Sequence, residues 1–255
     1  MFILISSAAL ALASTGCEQT GHAEPHAAAT TRMVSRVIVG HSIEGRPIRA
    51  VELGDPAAPR RVLVVGCVHG SERAGEAVTR RLRSTAVPAG VLIWAVDQFN
   101  PDGCRAGTRQ NARGVDLNRN SPWHWRRLGG EFYSGAWPFS EPESRAINSL
   151  VRCVQPQLSV WYHQSAGLVD DSGGRRPIER RYARMVGLPF RHIGLEPGSI
   201  TSWQNAVFPE DTAFVVELPP GRLRANAVRR HVSAVLALAL AIPPRPRSPN
   251  RQACR

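Results

Sequence analysis

Residues 61 to 67 form a run that is apolar on both of its alternating faces, and this run constrains the fold more than any other feature. After Arg61 it reads Val-Leu-Val-Val-Gly-Cys, a pattern typical of a strand buried on both sides of a sheet. Further β-branched or aromatic runs predict strands over 34–39, 47–53, 91–96, 158–162 and 213–218. Helical spacing predicts helices over 73–82, 142–154, 177–186 and 222–241. Strands that alternate with helices predict an α/β domain whose sheet is covered on both faces.

One domain accounts for most of the chain. The sequence has 255 residues, of which 43% are hydrophobic, and this suits a single core of ordinary size. We predict a leader over 1–17, a flexible tether over 18–32, a folded domain over 33–242 and a disordered Pro/Arg-rich tail over 243–255. Ser140 is the expected cap of the helix over 142–154, and Glu143 would complete a capping box.

The first 17 residues have the pattern of an export signal. Residues 2–13 are nearly all apolar and are followed by Ser14, Thr15, Gly16 and Cys17. Cys17 directly after Gly16 predicts lipoprotein processing, in which the thiol carries a lipid; plain cleavage nearby or a short uncleaved anchor are the alternatives. We therefore expect an extracytoplasmic protein, periplasmic or secreted, whose membrane contact is limited to this segment or its lipid.

Four more cysteines follow Cys17, namely Cys67, Cys104, Cys153 and Cys254. In an exported protein they allow three disulfide pairings, and the sequence does not choose between them. Cys67 lies on an apolar run and fits a buried free thiol equally well.

The formal charge of +12 comes from arginine, because all 32 basic residues are Arg. Such a balance suits anionic partners, including cell-wall polymers and substrates that carry a carboxylate. The arginines are scattered and no nucleic-acid motif accompanies them, so nucleic acid is not an expected partner. The sequence does not indicate an oligomeric state.

Two histidines follow apolar strands at equivalent positions. His69 comes after the buried run and three residues before Glu72, and His163 ends the run over 158–162. The carboxyl ends of strands are where open α/β sheets place their sites. Two His and one Glu form a Zn²⁺ ligand set that leaves a fourth position for water. His69 alone is explained equally well as a turn histidine, so the metal prediction depends on the recurrence at His163.

A polar stretch over 108–120 and a carboxylate on an apolar strand add further candidates. Asp116 and Asn118 are expected on one face of an extended segment. Arg109 and Arg119 carry planar guanidinium groups that bind carboxylates. Glu217 is expected to be buried on the strand over 213–218, where a carboxylate is rare unless paired or functional. A polar surface loop and a salt bridge from Glu217 to a core arginine are the structural alternatives.

Taken in order, these motifs resemble the zinc metallocarboxypeptidases, the carboxypeptidase A-like or funnelin family. The agreement runs from about residue 34 to 241. The matching motifs are His-x-x-Glu at 69–72, Asn-Pro-Asp-Gly at 100–103, Arg109, Gly-Val-Asp-Leu-Asn-Arg-Asn at 114–120, Ser-Glu-Pro-Glu at 140–143, His163 and Phe-Val-Val-Glu-Leu-Pro at 214–219. The short length and the Tyr-His-Gln around His163 most resemble bacterial murein peptide amidases and γ-D-glutamyl-diaminopimelate peptidases.

The resemblance implies a fold and a metal centre. The fold is a three-layer sandwich with a mixed, roughly eight-stranded sheet, and the domain over 33–242 is catalytic. One Zn²⁺ is held by His69, Glu72 and His163, with Asp116 orienting His69.

The resemblance also implies roles for the remaining residues. Glu217 is the general base toward the attacking water, and Arg109 stabilises the oxyanion. Asn118 and Arg119 bind the free carboxylate of a peptide or muropeptide. No motif places the lid tyrosine of the family; Trp203 lies in the corresponding region.

The expected activity is hydrolysis of a C-terminal amide bond in cell-wall peptides. Asp170 and Asp171 are candidates to meet the distal amine of diaminopimelate, and a solvated turn is their structural alternative. The competing functions are a general L-amino-acid carboxypeptidase, a zinc acylase of the aspartoacylase or succinylglutamate desuccinylase type, and a non-catalytic peptide-binding lipoprotein.

Overall fold

The computed structural model describes residues 30–31, 34–194 and 196–246, so the predicted leader, Cys17 and Cys254 lie outside the described residues. Within them the strands are β1 Thr30–Thr31, β2 Val34–His41, β3 Pro47–Gly54, β4 Arg60–Val65, β5 Val87–Pro88, β6 Val91–Val96, β7 Leu158–Gln164, β8 Leu168–Asp170, β9 Phe190–Arg191 and β10 Thr212–Leu218. The α-helices are α1 Glu76–Arg83, α2 Pro101–Ala106, α3 Pro142–Val154, α4 Arg176–Val186, α5 Ile200–Val207 and α6 Ala225–Ala241.

Eight strands form one mixed sheet in the order β2-β3-β6-β4-β7-β10-β8-β9. At the centre of the sheet the parallel pairs are β6–β4, β4–β7 and β7–β10. The antiparallel pairs are β2–β3, β3–β6 and β10–β8. The predicted mixed sheet of eight strands is therefore confirmed. β1 pairs with β5 in a separate antiparallel ladder.

Helices cover both faces of the sheet, as predicted. On one face, Leu82 of α1 and Val235 of α6 pack into a core with the β4 residues Val62 and Val64. Ile147 of α3 and Trp203 of α5 pack into a second core on the opposite face. The side chains of residues 62–65 have no exposed surface, so the run that predicted a doubly buried strand does lie at the centre. No helix among the described residues is long and apolar enough to span a membrane.

The six predicted strands and four predicted helices are all present, with ends within three residues of those observed. Two helices were not predicted. The six residues of α2 are too few to show helical periodicity; its start is fixed by Asn100, whose side chain accepts a hydrogen bond from the Gly103 amide at 2.9 Å. Ser199 caps α5 in the same way, through the Ser202 amide. Both helices are therefore marked by their caps rather than by an apolar stripe.

The capping box predicted for α3 is wrong. Glu141 occupies the cap position, and Pro142 begins the helix. The Ser140 hydroxyl instead donates to the Glu141 carboxylate at 2.8 Å and accepts from the Asn120 amide at 2.9 Å. The Glu143 carboxylate accepts from the backbone N–H of Ile43 at 3.1 Å. Tertiary partners have therefore replaced the local cap.

The predicted disorder of the tail does not extend to its first residues. The backbone N–H of Arg245 donates to the Pro59 carbonyl at 2.9 Å. Its guanidinium pairs with the buried carboxylate of Asp211 at 2.6 Å. An ion pair with a buried partner fixes residues 243–246 on the domain, and residues 247–255 lie outside the described part of the chain.

Candidate active site

Three parallel strands place the predicted catalytic side chains at one edge of the sheet. β4 ends at Val65, four residues before His69, and its neighbour β7 carries His163. Glu217 of β10 is the register partner of His163. Because the carboxyl ends of adjacent parallel strands meet at the same edge, residues almost 150 positions apart in the sequence come together there.

His69, Glu72 and His163 bring three ligand atoms together. The Nδ1 atoms of His69 and His163 lie 2.9 Å and 3.0 Å from the two oxygens of Glu72 and 3.2 Å from each other. All three side chains are buried. Ligands at the Zn–N and Zn–O distances of ~2.0–2.2 Å stand roughly 3.3 Å apart in a tetrahedral site. The donor chemistry and the spacing of this cluster therefore fit one Zn²⁺.

Asp116 orients His69 from behind. Its side chain has no exposed surface, and its Oδ1 lies 2.9 Å from Nε2 of His69. A carboxylate in this position holds the proton on Nε2 and leaves the lone pair of Nδ1 for a metal. Burial by itself would raise the pKa of Asp116, but His69 and Arg109 outweigh it and hold that pKa below its usual range. The carboxyl group is thus kept ionised.

The segment around Asp116 is not extended, contrary to the sequence prediction. Asp116 caps a 3₁₀ helix over Leu117–Arg119, and its Oδ1 accepts from the Asn118 amide at 2.8 Å. Arg109 donates to the other oxygen of Asp116 through Nε at 3.0 Å and Nη2 at 2.8 Å. The short helix turns Asn118 and Arg119 toward the cavity, while Asp116 stays beneath it.

Arg119 is a buried cation with unused donors. Its side chain is only 7% exposed, and burial lowers its pKa below the usual value. Nη1 donates to the Asn118 carbonyl at 3.0 Å, and Nη2 lies 3.6 Å from the exposed carboxylate of Glu196. Nε has no hydrogen-bond partner among the described residues. Such a group gains strongly from an incoming carboxylate.

One cavity collects seven of the predicted residues: His69, Arg109, Asn118, Arg119, His163, Asp170 and Glu217. Glu217 is half-buried and makes no salt bridge among the described residues, so both its predicted full burial and the core-arginine alternative are wrong. It stands at the end of its strand, where the side chain faces the cavity instead of the core. Its closest polar contact is the Ala166 amide at 3.4 Å.

The two aspartates that follow His163 are separated by the fold. Asp170 is buried at the cavity wall, where its carboxylate accepts from the Ser172 hydroxyl at 2.8 Å and the Ile193 amide at 3.0 Å. Asp171 pairs with Arg176 at 2.9 Å and does not line the cavity. Of the two, only Asp170 lines the cavity.

Trp203 is not a lid residue. Its side chain is 3% exposed and lies in the second core, with its ring edge-on to Phe139. An aromatic-rich loop, residues 123–139, precedes it. Trp123 and Phe139 pack against the core, whereas Trp137 is 62% exposed.

Phe132 and Glu196 were missed by the sequence analysis. The Phe132 ring lies 5.2 Å from the Arg109 guanidinium and 5.4 Å from that of Arg119, close enough for cation–π contact with both. Neither residue belongs to a motif: Phe132 ends a short 3₁₀ helix, Gly130–Phe132, and Glu196 lies on a loop. No signal in a single sequence identifies such contacts.

A family model described as zinc carboxypeptidase matches residues 23–170 of the chain. Murein peptide amidase A of Escherichia coli is 32% identical over 181 residues, which cover 64% of this chain and 74% of that protein. The Vibrio campbellii protein of the same name is 30% identical over 229 residues, covering 81% and 88%.

Solved structures show the same fold. The murein-tripeptide amidase of Escherichia coli superposes with a TM-score of 0.66 at 27% identity, over 86% of this chain and 97% of that one. Carboxypeptidase A of Helicoverpa armigera superposes with a TM-score of 0.67 at 19% identity, over 82% and 68%, which is a likeness of fold alone.

Proposed function

The chain belongs to the zinc carboxypeptidase family and is a peptide hydrolase, and from that premise we propose that it is an exported amidase that cleaves murein peptides beside a free carboxylate. The single observation that carries the substrate class is Asp170, a buried carboxylate at the wall of the cavity that also contains Arg119. The cavity therefore offers Arg119 to an anionic group and Asp170 to a cationic group.

His69, Glu72 and His163 would hold the Zn²⁺. When bound there, the ion supplies Lewis-acid polarisation of the scissile carbonyl and lowers the pKa of water. Asp116 keeps the proton on Nε2 of His69 and so fixes the imidazole tautomer. Glu217 faces the same cavity and is the general base: it accepts a proton from the attacking water and delivers it to the leaving amine.

Arg109, Asn118 and Arg119 hold the anionic parts of the substrate. The unused donors of Arg119 bind the carboxylate beside the scissile bond, and the amide of Asn118 lies at the same wall. Arg109 lines the cavity, and Asp116 fixes the orientation of its guanidinium group. The positive charge of Arg109 therefore stabilises the oxyanion that develops on the scissile carbonyl.

A diaminopimelate side chain matches the polar lining of this cavity. The hydroxyl residues Ser199, Thr201 and Ser202 line it together with Asp170. Burial raises the pKa of Asp170, while the Ile193 amide and the Ser172 hydroxyl oppose that rise. A cationic amine beside this carboxylate stabilises its ionised form. The distal amine and carboxylate of diaminopimelate suit such a polar wall better than an apolar side chain does, and the names of the murein peptide amidases support the same substrate class.

The test compares kcat/KM for L-Ala-γ-D-Glu-meso-diaminopimelate with that for a Leu-ended L-dipeptide. We expect the zinc-loaded protein to prefer the tripeptide by tenfold or more, about 1.4 kcal/mol of transition-state binding. Asp170→Asn should remove most of this preference. Asp171→Asn is the matched control and should retain it, because its carboxylate is paired with Arg176 outside the cavity.

A third substrate distinguishes the role of Arg119 from that of Asp170. Amidation of the carboxylate beside the scissile bond should lower kcat/KM for wild type and for Asp170→Asn alike, because Arg119 is then left without its anion. A tenfold preference for the Leu-ended peptide would contradict the murein proposal and identify a general carboxypeptidase. Equal cleavage of amidated and free substrates would contradict action beside a free carboxylate.

Export is part of the proposal. It is supported by the leader pattern and by Cys153, which is disulfide-bonded, because disulfides persist mainly in oxidising compartments. The acylase alternative loses support, since the matched family is that of the carboxypeptidases. The non-catalytic alternative loses support because the candidate ligands and base line or adjoin one cavity.

A further inference from the structure

Cys67 and Cys104 meet beneath the candidate metal site. Cys67 lies two residues before His69, and Cys104 lies on α2. Both are free cysteines in the structure, with sulfur atoms 2.6 Å apart, and the two residues are 0% and 3% exposed. Unbonded carbon atoms, which are smaller than sulfur, keep ~3.5–4.0 Å apart. The two sulfurs are therefore closer to the ~2.0 Å of a covalent bond than to an ordinary contact.

The backbone explains why two segments so far apart approach so closely. The Phe99 amide donates to the Cys67 carbonyl at 2.9 Å, which fixes the chain just before α2. A Cβ added to Gly70 would fall 1.8 Å from the carbonyl carbon of Gly103. The two backbones thus touch where both residues are glycine, and this contact holds the two cysteines side by side.

A metal is the competing explanation, because Cys67, Glu76 and Cys104 could surround one. The Glu76 carboxylate, however, is already bound by Arg73 at 2.7 Å and by Arg80 at 3.0 Å. Two thiolates on a tetrahedral Zn²⁺, each at ~2.3 Å, stand roughly 3.8 Å apart. A separation of 2.6 Å leaves no room for that arrangement.

We propose that Cys67 and Cys104 form a disulfide in the mature protein, tying the loop that carries His69 and Glu72 to α2. The bond forms by thiol–disulfide exchange: two S–H bonds break, one S–S bond forms, and an external disulfide takes up the two electrons and two protons as two thiols. Since both sulfurs are buried, exchange precedes complete folding. Cys153 is also disulfide-bonded, so this chain already contains an oxidised cysteine.

The link braces the site rather than taking part in the reaction. Cys67 precedes His69 by two residues, so a bond from its sulfur to α2 restrains the backbone that presents the first ligand. The bond also closes a loop between cysteines 37 positions apart, and this restricts the unfolded chain.

The test is mass mapping of protein refolded with zinc in a mixture of reduced and oxidised glutathione. The protein is alkylated in denaturant without reductant and is then cleaved after arginine. We expect the peptides 62–73 and 84–105 to appear joined, lighter by two hydrogens than their sum. Reduction before alkylation should release them as two alkylated peptides. Alkylation of both cysteines without reduction would overturn the proposal.

Two variants separate the disulfide from a metal. Cys67→Ser/Cys104→Ser should lower the Tm by roughly 5–15 °C while keeping one zinc per chain. Cys104→Ser should leave Cys67 open to alkylation in denaturant. A second zinc in the wild type that is lost in Cys104→Ser would show a metal site instead. These readouts do not depend on substrate, so the disulfide and the murein proposal fail separately.

Discussion

Glu217 lies near the carboxyl end of β10 and lines the cavity, and its carboxylate forms no salt bridge among the described residues. In the proposed mechanism it accepts the proton of the attacking water. Glu217→Gln keeps the shape of the side chain but cannot accept a proton. We expect kcat on the tripeptide to fall by at least ~10²–10⁴, with zinc content and Tm close to those of the wild type. Activity assays measure kcat, and metal analysis measures the zinc content of the same preparation.

Glu210→Gln is the matched control for that change. Glu210 is an exposed carboxylate in the turn before the same strand, so its loss should leave kcat unaltered. If Glu217→Gln turned over at the wild-type rate, the assignment of the general base would be wrong. If it lost zinc as well as activity, a structural role would explain the result.

The sequence predicts which side chains reach the site better than it predicts their surroundings. His69, His163 and Glu217 were predicted to share one edge of the sheet because each lies in or shortly after the carboxyl end of an apolar strand, a feature that an apolar pattern reveals. The exposure of Glu217 and the capping role of Asp116 were not found. Both depend on neighbours distant in sequence, which a local pattern does not contain.

α4 carries a buried carboxylate that the catalytic site does not use. Glu179 has no exposed surface, and its Oε1 accepts from the Gly174 amide at 3.2 Å. Burial raises its pKa to about 8, and the charges of Asp171 and Asp170 add to the rise while Arg176 opposes it. The folded protein therefore holds a proton at Glu179 at neutral pH.

This proton makes stability depend on pH. Between about pH 4.5 and pH 8 the unfolded chain has released the Glu179 proton and the folded chain has not. The folded state binds more protons in this range, so this residue makes the free energy of unfolding fall as pH rises. Glu179→Gln should match the wild type near pH 4 and exceed it by about 4 kcal/mol at pH 8. Urea unfolding across this pH range measures the difference.

The exposed Glu131 supplies the control for α4, since Glu131→Gln should leave the pH dependence unchanged. A constant difference between Glu179→Gln and wild type at all pH values would show that the effect is packing and not ionisation.

Apolar periodicity predicts the long strands and helices, but it does not predict α2 and α5. α2 matters for the site, because it carries Cys104 and touches the loop of His69 through Gly103. Its local signals are the Asn100 cap, Pro101 at the first turn and Gly107 in the left-handed conformation at its end. Short, capped helices beside a site are thus the elements that sequence periodicity is least able to detect.

The candidate metal site joins segments that are distant in the sequence and come together only in the folded protein. His69 and Glu72 follow β4, whereas His163 ends β7 more than 90 residues later. An ion that binds this set binds the folded state and not the unfolded chain, and so it links two neighbouring central strands. Metal binding and global stability are therefore expected to be coupled.

Chelation of zinc should lower the Tm of the wild type, because free zinc at 100 times its Kd stabilises the folded state by about 2.7 kcal/mol, which is roughly 5–10 °C for a domain of this size. His163→Ala removes one ligand, so its Tm should change little when the chelator is added. The exposed His124 gives the control: His124→Ala should keep the full shift, since its side chain does not belong to the ligand cluster. Calorimetry with and without chelator, combined with metal analysis, measures each shift. If the wild type lost its zinc to the chelator without a change in Tm, the coupling would be contradicted. If His163→Ala showed the full Tm shift, His163 would be excluded as a ligand.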